Sequence, residues 1–268
     1  MDRKRLLASD IDGTLIAPGT TDPEAVAAFR RWREGQSDLA LAYVTGRSFE
    51  NALETIENAG LPWPDAVASA VGTSVHWRRG DTWEPDEAYS TQLAAALGVS
   101  RLDEVDPVVL GHDGIRRQAP EEQSRFKRSF LREGRPFGDD LVRGIGSALT
   151  GRGLRVNLVS SLDPWTGDGL LDVLPRDTDK ARAVEHLRAR ISLDVDAVVF
   201  AGDSGNDVAA LSRPWWSILV GNAGDEVRAH FRPGSRASEN TILAREPVMR
   251  GVLEGLRRIG WMDGLPTL

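Results

Sequence analysis

The chain has 268 residues, 33 Lys plus Arg against 40 Asp plus Glu, a formal net charge of −7 and no cysteine. Its length suits one large α/β unit or a core carrying a smaller second domain, and a hydrophobic share of 41% supports a sizeable buried core. The acidic balance argues against a general nucleic-acid binder, which needs a basic face, and the missing thiols exclude disulfides, thiolate metal sites and cysteine nucleophiles.

Met1-Asp2-Arg3-Lys4-Arg5 precedes only three apolar residues, and no later run approaches the roughly 18 apolar residues of a membrane span. The expectation is a soluble, cytoplasmic protein, a monomer or small homo-oligomer, that uses neither membrane nor nucleic acid. Leu6–Ser9 reads as a first strand buried on both faces. Pro23 opens a helix through Glu34, with Ala25, Ala28, Phe29 and Trp32 on one face. Leu39–Val44 is a second strand, Ser48 caps a helix running to Ala59, and Ala66–Ala70 is a third strand. Thr73–Trp77 and Thr82–Glu84 form a hairpin around Arg78-Arg79-Gly80-Asp81.

From Pro85 to Pro175 the order becomes helix, strand, helix, strand, strand: Gln92–Leu97, Phe126–Leu131, Asp139–Leu149, Leu154–Val159 and Leu170–Leu174. Consecutive strands without long crossovers predict a small antiparallel sheet inserted into the first unit. The alternating pattern then resumes. Thr178 caps a helix to Arg190, Ala197–Ala201 is a strand, Asn206–Leu211 begins a helix, Ser217–Val220 is a strand, and Pro247–Ile259 is a closing helix. Phe231–Glu246, rich in Arg, Ser and Gly, reads as a surface loop. The predicted class is α/β: a Rossmann-like doubly wound parallel sheet formed by residues 1–84 and 176–268, with a smaller α+β domain at 85–175.

The first strand runs into Asp10-Ile11-Asp12-Gly13-Thr14, beyond a strand's carboxyl end, where ligands of doubly wound sheets bind. Two carboxylates this close repel, so a cation sits between them or one pKa rises. An acidic turn would explain one such motif. The strand at Ala197–Ala201 repeats the arrangement at Gly202-Asp203-Ser204-Gly205-Asn206-Asp207, and two acidic strand ends would build a hard, all-oxygen site suited to Mg²⁺. The second strand ends at Thr45-Gly46-Arg47, where a hydroxyl and helix N-terminal N–H groups can cradle phosphate. Lys180 sits in a helix's first turn, opposing the dipole, which favours contact with an anion. The four histidines show no metal spacing, and Gly144-Ile145-Gly146 lies inside a helical run, away from the strand that a dinucleotide fingerprint needs.

Asp10-Ile11-Asp12-Gly13-Thr14, Thr45-Gly46-Arg47, Lys180 and Gly202 through Asp207 resemble, in order, the four motifs of haloacid dehalogenase (HAD) superfamily phosphatases. The resemblance implies that Asp10 attacks phosphorus to form an aspartyl phosphate, and that Asp12 protonates the leaving alcohol and then activates water. It implies a Mg²⁺ cofactor on Asp10, Asp203 and the Asp12 backbone carbonyl, with Asp207 as a ligand or close behind. Thr45, Gly46, Lys180 and Asn206 would bind the phosphate, Thr45 and Lys180 sharing in catalysis. Ser204 and Asn206 would orient Lys180 or Asp203.

An insert between the second and third motifs marks the branch with an α/β cap. Leu61-Pro62-Trp63-Pro64-Asp65, Val71-Gly72-Thr73-Ser74-Val75, Trp83-Glu84-Pro85-Asp86, Phe126-Lys127-Arg128-Ser129-Phe130 and Leu171-Asp172-Val173-Leu174-Pro175 resemble sucrose-phosphate phosphatases. The implied substrate is a phosphorylated sugar or glycoside. Ser160–Gly169 is longer than the short turn expected there, and placed over the active site it would change which sugar fits. Lys127 is carried over as a sugar-hydroxyl ligand with Arg125 beside it, although a solvated strand face would also explain both. Asn157 suits hydrogen bonding to a sugar and Trp165 stacking on one, with core or hinge packing the alternative for Trp165. Gly72 and Thr73 would line the mouth of the site, although as a hairpin start they need no function, and Arg47 is a further candidate for substrate binding. Phosphomannomutase-type phosphosugar mutases resemble the same branch, but the strings in the insert favour a hydrolase. A non-catalytic sensor would lack Asp10, Asp12 or Lys180, and all three are present.

Overall fold

The computed structural model describes residues 4–17, 20–97, 102–163, 166–232, 234 and 239–262. In chain order the strands are β1 (Arg5–Ser9), β2 (Leu39–Val44), β3 (Ala66–Ser69), β4 (Ser74–Arg79), β5 (Thr82–Pro85), β6 (Ile115–Arg117), β7 (Arg128–Arg132), β8 (Val156–Leu162), β9 (Gly169–Pro175), β10 (Val198–Gly202), β11 (Trp216–Leu219) and β12 (Thr241–Leu243). The helices are α1 (Pro23–Glu34), α2 (Phe49–Asn58), α3 (Glu87–Leu97), α4 (Asp106–Val109), α5 (Asp139–Gly151), α6 (Lys180–Arg190), α7 (Val208–Leu211), α8 (Asp225–His230) and α9 (Val248–Ile259).

An eight-stranded sheet runs in the order β12-β11-β10-β1-β2-β3-β4-β5. β12 to β3 pair in parallel and β3-β4-β5 antiparallel. β1, β2 and β10 sit at its centre, and from Leu6 onward in β1 their residues are all buried, as expected of apolar strands covered on both faces. One apolar cluster packs α1 and α9 against one face, and a second packs α6 and α7 against the other. This is the predicted α/β fold. A separate four-stranded antiparallel sheet, β6-β7-β9-β8, covers α5 and α4 through a third cluster. No helix among the described residues is long and apolar enough to cross a membrane.

Several elements differ from expectation. β12 lies within the segment read as a loop; its three half-buried residues extend the sheet edge beside β11. β6 and α4 were not foreseen. α3 begins at Glu87 because Asp86 caps it, accepting from Tyr89 N at 2.9 Å, and its Tyr89 and Leu93 join the apolar cluster of the large sheet. α6 is capped by Asp179 and not by Thr178: Asp179 is extended and its side chain accepts from Arg182 N at 2.8 Å, whereas Thr178 N–H turns back to Pro175 O. The segment expected to be a helix from Asn206 starts as a 3-10 turn, Gly205–Asp207, before α7.

Candidate active site

Asp10 leaves β1 with its N–H on Ala201 O of β10, at 2.9 Å. The chain then folds onto the Ile11 carbonyl, which accepts from Thr14, Leu15 and Ile16 N–H. Gly13 makes that turn at φ 77°, and a Cβ there would meet the Asp203 carboxyl at 2.3 Å. Glycine is thus required twice, by conformation and by contact. Thr14 Oγ1 donates to Asp203 Oδ1 at 2.8 Å, and Asn222 Nδ2 donates to Gly13 O at 2.7 Å. β10 delivers Asp203, and Asp207 follows in a capping box in which its Oδ2 accepts from Asp203 N, Ser204 N and Ser204 Oγ.

Lys180, wholly buried at the start of α6, reaches Asp10 Oδ1 at 2.9 Å and Asp207 Oδ1 at 2.8 Å. The anion expected opposite it is therefore a carboxylate pair. Asp10, Asp203 and Asp207 each place an oxygen within 4.8 Å of the others, all buried. Burial pushes Asp10 well above the usual carboxylate range; Lys180 draws it back, and Asp207, Asp203 and Asp12 push it further up. Burial, then Asp207, pushes Asp203 up to about 7. Three buried oxygen donors with excess negative charge fit a hard divalent cation such as Mg²⁺ and not a soft one.

This predicts a pH signature. Asp203's folded pKa lies above the 3.8 of the unfolded chain, so between 3.8 and about 7 the folded metal-free protein binds more protons and loses stability as pH rises. A divalent cation competes with those protons. The Tm gain on adding Mg²⁺ to EDTA-treated protein should be clearly larger at about pH 8 than at about pH 5, read by thermal melts; equal gains would refute the cation site.

Thr45 is fully buried after β2, its N–H on Ala68 O at 2.8 Å and its Oγ1 accepting from Arg47 N at 3.2 Å. Arg47 grips Asp12 through both oxygens, Nε to Oδ2 at 2.7 Å and Nη2 to Oδ1 at 2.8 Å. A strained turn clasps this loop: Ala70, Val71 and Gly72 all have positive φ, with Ala70 N–H on Arg47 O and Val71 N–H on Thr45 O.

Above these groups lies a cavity of about 390 Å³. Asp10, Asp12, Gly46, Arg47, Asp203 and Asn206 form its floor, and Lys127 projects into it from the small sheet. Lys127 is 2% exposed, donates to Gly46 O and Glu122 Oε2 at 3.2 Å each, and stands 3.8 Å from Asp172 Oδ1. Asp172, raised by burial against the pull of Lys127, accepts a hydrogen bond from Ser129 Oγ. Ser161 and Asp163, from the long segment Ser160–Gly169, line the cavity, and so do Gln118, Glu122, Ser129 and Asp172, which the sequence reading did not name as site residues. Strand alternation offered a signal for two of them: Ser129 is two residues from Lys127, hence on its face, and Asp172 is its cross-strand partner.

Other expected sugar contacts lie elsewhere. Asn157 Nδ2 donates to Thr178 O at 2.7 Å, outside the cavity. Gly72 and Thr73 are buried: a Cβ on Gly72 would meet Asp179 O, just before α6, at 2.6 Å, Gly72 O accepts from Tyr89 Oη, and Thr73 Oγ1 donates to Ala70 O. Arg125 is exposed and stacks over Phe126. Trp165 lies outside the described residues. Ser204 and Asn206 bond each other, and Ser204 supports Asp207, with neither reaching Lys180.

The family model for sucrose-6F-phosphate phosphohydrolase matches residues 3–260. A HAD-like hydrolase of Nitrosococcus oceani is 32% identical over 98% of this chain and 75% of its own length. The mannosylfructose-phosphate phosphatase of Agrobacterium fabrum is 29% identical over 96% of this chain and 97% of its own. The Synechocystis sucrose-phosphatase, solved with sucrose and phosphate, shares the fold at a TM-score of 0.82 and 23% identity, over 96% of this chain and 98% of that one. The chain belongs to the sucrose-6F-phosphate phosphohydrolase family of the HAD superfamily and is a phosphoric monoester hydrolase.

Proposed function

We propose that the protein hydrolyses a sugar or glycoside phosphate, sucrose 6-phosphate-like, through an aspartyl phosphate on Asp10, with Mg²⁺ as cofactor. One observation carries this reading: Asp10 and Asp203 of a three-carboxylate cluster form the floor of a cavity, with Asp207 and Lys180 fully buried behind them, and the wall of that cavity offers Gln118, Glu122, Lys127, Ser129 and Asp172 to hydroxyl groups. Residues 85–175 act as a cap over a core of 1–84 and 176–268, with α3 packed on the core side of the junction.

Lys180 fixes the Asp10 carboxylate for attack on phosphorus, and the ester P–O bond breaks as the Asp10–phosphorus bond forms. Asp12 gives its proton to the departing alkoxide and then takes one from the water that cleaves the aspartyl phosphate. Both Asp12 oxygens accept from Arg47, so substrate must draw Arg47 from one oxygen before that oxygen can carry the proton. Mg²⁺, held by Asp10, Asp203, Asp207 and the Asp12 backbone carbonyl, would neutralise charge on the phosphoryl oxygens. Thr45, Gly46 and Asn206 complete the phosphate cradle.

Phosphate release should be measured with Mg²⁺ on sucrose 6-phosphate, other disaccharide and glycosyl-glycerate phosphates, hexose 6-phosphates and 4-nitrophenyl phosphate. One sugar phosphate should exceed the aryl ester in kcat/KM by about 10²-fold or more. Isomerisation without released phosphate, dependent on a sugar bisphosphate, would replace the hydrolase with a mutase.

A further inference from the structure

Gly205 stands in the loop that carries Asp203 and Asp207, yet its φ lies outside the left-handed region, so its conformation does not require glycine. Contact does. A Cβ at Gly205 would lie 2.7 Å from Ser160 O and 3.6 Å from Ser161 Cα, both on β8 of the small sheet. The obstacle is backbone, which cannot swing aside as a side chain can. Three residues along the same strand, Asn157 Nδ2 donates to Thr178 O on the segment leading back into α6. β8 is thus tied at one point and rests at another about 10 Å away.

The resting point lies between two cavities. The one above the phosphate floor and a second of about 390 Å³, walled by Pro136, Phe137 and Val227, share Ser161, Leu162, Asp203 and Ser204. The height of β8 over Gly205 therefore sets how closely Ser161 and Leu162 close on whatever occupies the phosphate site.

We propose that Gly205 is a positioning residue: its bare Cα seats β8, and that seating gives the enzyme its preference for a sugar phosphate over a small aryl phosphate. The inference rests on the substrate reading above and adds the element that enforces it. Restoring an ordinary Cβ-to-oxygen distance would lift the strand by roughly 0.5–1 Å. Misplacements of that size cost up to about 10²-fold when they separate a substrate from its positioning groups. A small aryl ester, which touches the floor and little of the wall, should be affected far less.

The test compares wild type, Gly205→Ala and Asn157→Ala on the best sugar phosphate of the panel and on 4-nitrophenyl phosphate, with Mg²⁺ titrated for each. Gly205→Ala should lower the sugar-to-aryl ratio of kcat/KM by about 10–100-fold, mainly through KM, with the Mg²⁺ requirement unchanged. Asn157→Ala, which frees the strand without touching the metal loop, should lower the same ratio several-fold. If both variants keep the wild-type ratio, the seat is wrong. A parallel fall for both substrates with a raised Mg²⁺ requirement in Gly205→Ala would show that the glycine serves the metal loop alone, and would also overturn the proposal. A wild type that prefers the aryl ester to every sugar phosphate would instead sink the substrate reading, a failure separable from the other two.

Discussion

Replacing Asp10 with Asn is expected to cut kcat by about 10⁴-fold or more, roughly 5.5 kcal/mol or more of barrier, while the chain remains folded. The amide matches the carboxylate in size, and its oxygen can still accept from Lys180, which keeps Asp207 as a second partner. What is lost is the nucleophile of the proposed mechanism. What is also lost is one of three buried like charges, each raising the cost of ionising the next. In EDTA at about pH 8 the variant should melt no lower than wild type, because the metal-free site has shed a charge it could not fully neutralise. Its Tm gain from Mg²⁺ should shrink, because the cation has lost a ligand. Phosphate-release assays and melts with and without Mg²⁺ check both halves. Turnover within tenfold of wild type would remove Asp10 as nucleophile, and an undiminished Mg²⁺ gain would remove it as a ligand.

The floor of the site was legible because it is built where the pattern is strongest. β1, β2 and β10 are short apolar runs that end on Asp, Thr or Gly, and parallel pairing brings those ends side by side. The asymmetric contribution of Asp207 was only partly readable: spacing placed it a turn from Asp203, but its pairing with Lys180 depends on how α6 packs. Peripheral elements carried weaker signals. β12 is three half-buried residues inside a polar segment, and β6 exposes two arginines, so neither has the apolar alternation that marks a strand. Val71 in a left-handed conformation defies local preference, since β-branched residues rarely adopt it; only the tertiary bonds from Ala70 and Val71 N–H to the Thr45–Arg47 loop explain it. The wall misled in a consistent way. Asn157, Gly72 and Thr73 have chemistry that suits sugars, whereas the fold uses Asn157 to tie β8 to Thr178 and Gly72 to let α6 come close, and the Thr73 hydroxyl bonds back to Ala70 O.

Replacing Lys180 with Met tests the charge balance from the opposite side. The side chain is of similar length and fills the same buried space, but no cation then faces Asp10 and Asp207. Losing one partner from a buried ionic group typically costs about 3–5 kcal/mol, because the remaining charges stay desolvated. Lys180's pKa is raised in the fold by Asp10 and Asp207, against burial; its stabilisation is therefore complete below the unfolded lysine value and fully present at neutral pH. The deficit in Lys180→Met should depend on pH through Asp10, whose carboxyl burial holds well above the usual carboxylate range. It should be larger in EDTA at about pH 8 than at about pH 5, where a proton on Asp10 removes the need for a facing cation. Mg²⁺ should recover part of the lost Tm without restoring turnover: in the proposed mechanism Lys180 fixes the Asp10 carboxylate for attack, a placement the cation does not replace, and kcat should fall about 10²–10³-fold. Urea melts across pH with and without Mg²⁺ separate these contributions. A deficit that is flat in pH would mean that Lys180 stabilises the fold by packing alone, and the ionic reading of the floor would fail with it.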